Sequence, residues 1–317
     1  MTNIYPSYYK DFACITSACR HNCCIGWEID IDSDTYEKYM KTGGEMGERL
    51  KNCCSASPVP HFVCRDDGRC PFLNSDNLCD IIIKLGKDSL CSICAAHPRF
   101  TNELSGRLEH GLGLCCEEAA RLILGRKEKL DFICEEDCAS PFCDEVIALR
   151  DRLIRTFQDR SRQIDERCRD ALAMCRISLP ERSMAEWAQY FLALERLDGV
   201  WGELLESLGT AVDETAESRF REHMRCREHE WEQLLVYFIW RHAATAADTE
   251  DVSYRCAFAV LSYRLIYALS VGMFAKNGSF TFEDMAELCR LYSAEIEYSE
   301  ENTEAVLDEL YFFCVTE

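Results

Sequence analysis

The placement of cysteine constrains this chain more than any other feature. It has 317 residues and 22 cysteines, and sixteen of those lie between Cys14 and Cys143. The other six, from Cys168 to Cys314, stand singly. Thiols this dense either become disulfides in an oxidising compartment or serve metal and redox chemistry in a reducing one. Met1 to Phe12 reads MTNIYPSYYKDF, without the basic and then apolar stretches of an export leader. No apolar run reads as long and clean enough to span a bilayer. The best, Cys256 to Ala275, contains Arg264 and reads as a buried helix. The expectation is a cytoplasmic protein with no membrane partner. A net charge of −21 and a pI near 4.8 argue against a nucleic-acid partner, which would need a positive footprint. The same charge favours solubility and could attract a lysine-bearing partner.

Glycine and proline concentrate before residue 145, as the cysteines do, so the first part reads as loop-rich and the second as regular. From Asp144 the pattern is helical. Leu149, Leu153, Phe157, Ile164, Cys168, Leu172 and Cys175 recur at spacings of three, four or seven, one face of a helix that Pro180 stops. Ser183-Met-Ala-Glu186 is a capping-box pattern ahead of an apolar-periodic run from Trp187 to Leu208. Further helices are expected over Glu217 to Ala247, Val252 to Lys276 with a stop at Asn277-Gly278, a stretch capped by Thr281, and Thr303 to Phe313. In the first part, Trp27 to Asp32 alternates like a short strand, while Ser33 to Lys41, Glu45 to Asn52 and Glu117 to Leu124 read as helices. The expected fold class is mainly α. A cysteine-rich, metal-binding region of loops and short helices over residues 1–144 would pack on an α-helical bundle over residues 145–317.

Two cysteine sets stand out. The first is Cys14-x4-Cys19-x3-Cys23-Cys24, followed by Gly26-Trp27. The second is Cys70-Pro-Phe-Leu73, Cys79 and Cys94, followed by Pro98-Arg99, and a third element is Cys115-Cys116. Thiolates a few residues apart reach one metal with little added closure entropy, and distant groups complete the shell. An all-thiolate set suits zinc or an iron–sulfur cluster. Only Cys91 and Cys94 have the C-x2-C spacing of a zinc knuckle; the irregular spacing elsewhere suits a cluster better. Cys53, Cys54, Cys64, Cys134, Cys138 and Cys143 divide evenly between metal chemistry and packing. The six single cysteines read as packing residues.

Phe12-Ala-Cys14, Ser17-Ala-Cys19-Arg20, Cys23-Cys24-Ile-Gly26-Trp27, Cys70-Pro-Phe-Leu73, Leu78-Cys79, Leu85-Gly86, Cys94, Pro98-Arg99 and Leu114-Cys115-Cys116-Glu-Glu118 occur in this order over residues 10–125. This skeleton resembles the flagellin lysine N-methylase family, within the wider group of zinc- or iron-chelating CxxCxxCC domains. The likeness implies metal ligation by Cys14, Cys19, Cys23, Cys24, Cys70, Cys79, Cys94 and Cys116. Cys91 and Cys115 look like additions, and His97 stands where an aromatic is usual. The resemblance further implies an iron–sulfur cluster, 4Fe-4S in the first instance with zinc as the alternative. It also implies S-adenosylmethionine as methyl donor and flagellin lysines as protein substrate. Neither a G-x-G-x-x-G loop nor the C-x3-C-x2-C spacing of radical S-adenosylmethionine enzymes is present. Aromatics that could face a sulfonium are Tyr5, Tyr8, Tyr9, Trp27 and Tyr36, with ordinary packing as their simpler role. His21 and His97 are secondary ligand candidates, and Arg99 could offset thiolate charge. His223 and His229 read as surface residues. The competing reading is a non-catalytic iron–sulfur or zinc protein serving electron transfer or protein interaction.

Overall fold

The computed structural model describes residues 1–135, 144–208 and 214–316, so Cys138 and Cys143 lie outside the described residues. The chain is mainly helical and divides into two compact units. The first contains Met1–Phe12, Thr101–Cys115 and Ala119–Glu317; the second contains Ala13–Phe100 and Cys116–Glu118. The 1–144 and 145–317 division follows composition, whereas contact places the first twelve residues and the 101–115 segment with the helices.

The first unit is organised by the helix Thr249–Asn277, along which Cys256, Ala257, Val260, Leu261, Leu265 and Ile266 are buried. By length and composition it could cross a membrane, and 72% of its apolar window is buried inside the protein. Gly278, at φ 74°, ends it in the left-handed region where glycine carries no side-chain penalty, as Asn277-Gly278 foretold. The capping boxes expected at Ser183 and Thr281 are both formed. Three expected helices are broken. The run from Leu149 to Cys175 is two helices, Glu145–Phe157 and Ile164–Met174. The polar stretch Gln158 to Arg162 separates them, with Ser161 turned onto Asp159, and Gln163 and Glu166 box the second start. The run from Trp187 likewise divides into Met184–Leu192 and Gly199–Ser207, the second capped by Asp198. The third divides into Glu214–Met224 and Glu228–His242 at a 3₁₀ turn. A seven-residue apolar spacing is compatible with an unbroken helix and with two helices sharing one core, and hydrogen bonding decides between them.

Buried charge joins these helices. Glu232, fully buried, accepts a two-pronged pair from Arg160 and a bond from Arg167 at 3.0 Å. Arg167 also donates to the carbonyls of Phe157 and Arg162, satisfying the helix end where the chain breaks. Glu297, at the end of the π-helical turn Ser293–Glu297, accepts from Tyr237 at 3.0 Å and pairs with His242 at 2.7 Å. Burial pushes the Glu297 carboxyl upward, but Arg241 and His242 outweigh it and hold it below its ordinary value.

A four-stranded sheet, absent from the sequence reading, belongs largely to this unit. Its order is Arg99–Leu104, Arg107–Leu112, Thr2–Pro6, Phe132–Cys134. Ser105 and Gly106 both have positive φ and turn the first two strands into a hairpin. Thr2–Pro6 runs parallel to Arg107–Leu112 and antiparallel to Phe132–Cys134. Arg150 pairs with buried Glu109 of this sheet and lies 4.7 Å over the Trp240 ring.

In the second unit, Ser33–Lys41 is helical as expected, beside Gly44–Cys53. Trp27 to Asp32 is not a strand. Ile29 and Ile31 do point inward, and Phe62 donates to the Ile29 carbonyl while Ile31 donates to that of Pro60. Pro60 has no N–H to return, so pairing stops at single bridges.

Two substitutions test this packing. A Cβ at Gly47 would lie 2.1 Å from the Thr42 carbonyl oxygen, a backbone atom that cannot rotate away. Gly47→Ala is expected to cost about 1–3 kcal/mol by denaturant titration; an unchanged midpoint would refute the contact. Glu232→Leu removes the buried carboxylate from Arg160 and Arg167, leaving Arg167, which is 3% exposed, with Glu228 and two carbonyls, and is expected to cost about 3 kcal/mol in the same measurement.

Candidate metal centre

The second unit assembles its cysteines around a small apolar core. Ile29, Ile31, Tyr39, Leu50, Phe62, Phe72 and Ile81 are buried with Cys70 and Cys91, and Cys24, Cys53, Cys54, Cys79 and Cys94 pack against them. The two motif loops are tied by backbone. Cys70 donates its N–H to the Cys24 carbonyl at 2.8 Å, and Gly26 donates to the Gly68 carbonyl at 2.9 Å. Cys24 itself is turned by its N–H bond to the Asn22 side chain. Of the first and second cysteine sets, expected to converge, the stretches at Cys24 and Cys70 therefore meet through neighbouring main chain.

Polar side chains set the second loop. Arg49 and Arg65 both donate to the Pro71 carbonyl, and Arg49 also pairs with Asp80 at 2.6 Å. Asn74 caps its own loop by accepting from Asp76 and Leu78, and it donates to Asp80. Cys79 then stands at the N-cap of Asp80–Leu85, where backbone N–H groups of Ile81 and Ile82 face its sulfur. Cys91 holds the same position before Ser92–Ala96. Asp32 binds the N–H of Ser92 and of Thr35, joining that helix start to Ser33–Lys41.

The thiols face one another. Cys23 contacts Cys24, and Cys91 contacts Cys94, each pair within hydrogen-bond reach. Contact with Cys24 holds Cys23 below its ordinary value, and contact with Cys94 holds Cys91 at about 7. Their donor partners Cys24 and Cys94 are driven far upward by the same contacts, by burial and by neighbouring thiols. Burial pushes Cys70 up to about 11 and Cys54 to about 12, with Cys79 against the first and Cys53 against the second. For Cys24, Cys54, Cys70, Cys79 and Cys94 the strongest charged neighbours are other thiols or Asp80, which penalise their ionised forms. A thiophilic cation would remove that penalty, and in this respect the donor set fits a metal or cluster. Among the described residues, however, no three or more Cys, His, Asp or Glu side chains are grouped so that they could hold a metal ion.

The eight sequence candidates separate into groups. Cys23, Cys24, Cys70, Cys79 and Cys94 come together. Cys19 and Cys116 form a flanking pair beside Glu117, which accepts from the Arg20 backbone and guanidinium at 2.9 and 3.0 Å and from Cys19 at 3.7 Å. Burial, opposed by a hydrogen bond with the His21 backbone, pushes Cys19 up to about 11. Cys14 is exposed and accepts the Thr16 N–H. Cys91 and Cys54 join the central group although the motif reading set them aside. The C-x2-C spacing was the available signal for Cys91, but nothing local marked Cys54. Glu117 was also missed, though it follows Cys116 directly.

His97 is largely buried and held at about 4, hence neutral, with its ring 6.3 Å from that of Trp27. Tyr36 packs on the same core, whereas Tyr5, Tyr8 and Tyr9 belong to the first unit. Of the single cysteines, Cys168, Cys256 and Cys289 are buried as expected, while Cys226 is exposed in its 3₁₀ turn. Cys134 is disulfide-bonded.

Comparison with known proteins adds an independent line. The family model of the FliB lysine N-methylase C-terminal domain matches residues 113–313, the helical part, where the sequence resemblance was weakest. The chain is 28% identical over 130 residues to a lysine-N-methylase of Salmonella choleraesuis, and to that of Salmonella typhimurium. Each match covers 38% of this chain and 31% of the relative, so the chain spans about a third of these curated proteins. It is 27% identical over 130 residues to a flagellar biosynthetic protein FliU of Salmonella muenchen, covering 75% of that protein. No solved structure matches. With the match extending over most of its length, the chain belongs to the FliB lysine N-methylase family.

Proposed function

We propose that this chain is a protein-lysine N-methyltransferase that takes the methyl group from S-adenosylmethionine, acts on flagellin and carries a thiolate-held iron–sulfur cluster. Family membership supports the transferase reading, and the names lysine-N-methylase and flagellar biosynthetic protein borne by its relatives support the substrate. The observation that carries the metal reading is the meeting of both motif loops on one apolar core, with thiols as each other's neighbours.

The reaction transfers a methyl carbon from sulfonium to a lysine nitrogen. The C–S bond breaks, a C–N bond forms, S-adenosylhomocysteine leaves, and the amine releases one proton. A free lysine titrates near about 10.4, so the site must desolvate the amine or accept its proton. Cys23, Cys24, Cys70, Cys79 and Cys94 are the residues that would hold the cluster, with Cys54 and Cys91 beside them. A bound cluster would compensate the charge of the thiolates that hold it and supply electron-transfer capacity. The chain's own contribution is to fix the loops: Arg49 and Arg65 hold the Cys70 turn, and Asp32 fixes the start of the Cys91–Cys94 helix.

Protein purified without oxygen is expected to contain iron and acid-labile sulfide; zinc alone would replace the cluster by a structural ion. Cys24, Cys70, Cys79 and Cys94 changed singly to serine should each lose most of the bound metal, and Cys14→Ser the least. Equal loss for all five would refute the grouping. Removal of the metal should loosen the core it borders, read as faster hydrogen exchange within residues 13–100.

Incubation with S-adenosylmethionine and purified flagellin should add methyl groups to flagellin lysines by peptide mass mapping. Metal-loaded protein that binds S-adenosylmethionine but leaves flagellin unmodified would redirect the substrate. Failure to bind it at all would defeat the transferase reading.

A further inference from the structure

A second pair of thiols lies in the first unit. Cys175 caps the end of Ile164–Met174, is half-buried, and lines an open cavity of about 710 Å³. Its sulfur is within hydrogen-bond reach of Cys256 and of Ser253, three residues apart on one face of Thr249–Asn277. Cys256 is fully buried behind it. Arg152 lines the same cavity and bears on the Cys175 sulfur.

We infer that Cys175 and Cys256 form a reactive dithiol, in which Cys175 meets a small peroxide through the cavity and Cys256 resolves the product to a disulfide. Four observations converge on this assignment. An open cavity gives a small oxidant access to one sulfur. The second sulfur is already in contact, so resolution needs no large rearrangement. The cation Arg152 stands beside the accessible sulfur, a surrounding in which thiolates form, as does the Ser253 hydroxyl, which donates to the Thr249 carbonyl. The two sulfurs differ in access, Cys256 being fully buried and Cys175 half-buried. Contact with Cys256, then Ser253 and Arg152, holds Cys175 below its ordinary value against the opposing effect of burial, while Cys256 stays protonated. The remaining charges at the cavity, Glu145, Arg176 and Glu250, include both signs.

The step balances with hydrogen peroxide as oxidant. The Cys175 thiolate attacks one oxygen, the O–O bond breaks, and hydroxide leaves to take up a proton as water, producing a sulfenic acid. The Cys256 sulfur loses its proton and attacks the Cys175 sulfur. The S–O bond breaks, a second water leaves, and an S–S bond forms. The two thiols surrender two electrons and two protons, and a dithiol reductant reverses the reaction. The bridge would join the end of Ile164–Met174 to the long central helix.

The full-length protein is treated with hydrogen peroxide, its remaining thiols are alkylated, and it is digested with trypsin. Cleavage at arginine releases residues 170–176 and 256–264, each with a single cysteine. The expected product is these two peptides joined, in most molecules, before buried Cys168 or Cys289 is modified, with the link lost on reduction. Recovery of both peptides separately alkylated while cysteines elsewhere have oxidised would overturn the inference. In Cys256→Ala the sulfenic acid should persist on Cys175 and react with a dimedone probe; absence of that adduct in a variant with native helical signal would also count against it. If the variant does not fold, the wild-type peptide map decides.

Discussion

Thiols held close together impose the main constraint on this molecule. In the second unit, the sulfur atoms of Cys24, Cys70, Cys79, Cys91 and Cys94 border one apolar core. An isolated thiol at such a rim is a small hydrophobe. Several together can ionise only if something positive joins them, because each thiolate raises the cost of the next. Three guanidinium groups of this unit hold its scaffold: Arg49 and Arg65 engage carbonyls and Asp80, and Arg20 engages Glu117.

The first unit handles buried charge differently. Glu232 meets two guanidinium groups, Glu109 meets Arg150, and Glu297 meets His242 and Arg241. Each carboxylate has a charged or hydrogen-bonding partner on another element, so the groups fix helix positions while costing desolvation. The π-helical turn at Ser293–Glu297 presents Glu297 toward Tyr237 and His242, and such turns recur where local geometry is specialised.

Two different signals identify the family, from different parts of the chain. The ordered cysteine motifs lie in residues 10–125, whereas the matched family domain covers residues 113–313. A motif of ligand-type residues is legible because chemistry restricts which side chains can serve. A helical domain spreads its likeness over many apolar positions that tolerate exchange.

What the sequence determined by itself is local. Helix starts at Ser183 and Thr281, the stop at Gly278, the helices at Ser33 and Glu117, and the cysteine motifs rest on groups a few residues apart, where hydrogen bonds and chelation act within one stretch of chain. Tertiary structure decided what depends on remote partners. The parallel pairing of Thr2–Pro6 with Arg107–Leu112 joins segments a hundred residues apart, and the inclusion of Cys54 beside Cys70 and Cys91 has no local signature. The breaks in three helices turn on side chains such as Arg167 reaching a distant glutamate, and the meeting of Cys175 with Cys256 turns on helix packing. Periodicity records which face of a segment avoids water, but not which other face it will meet.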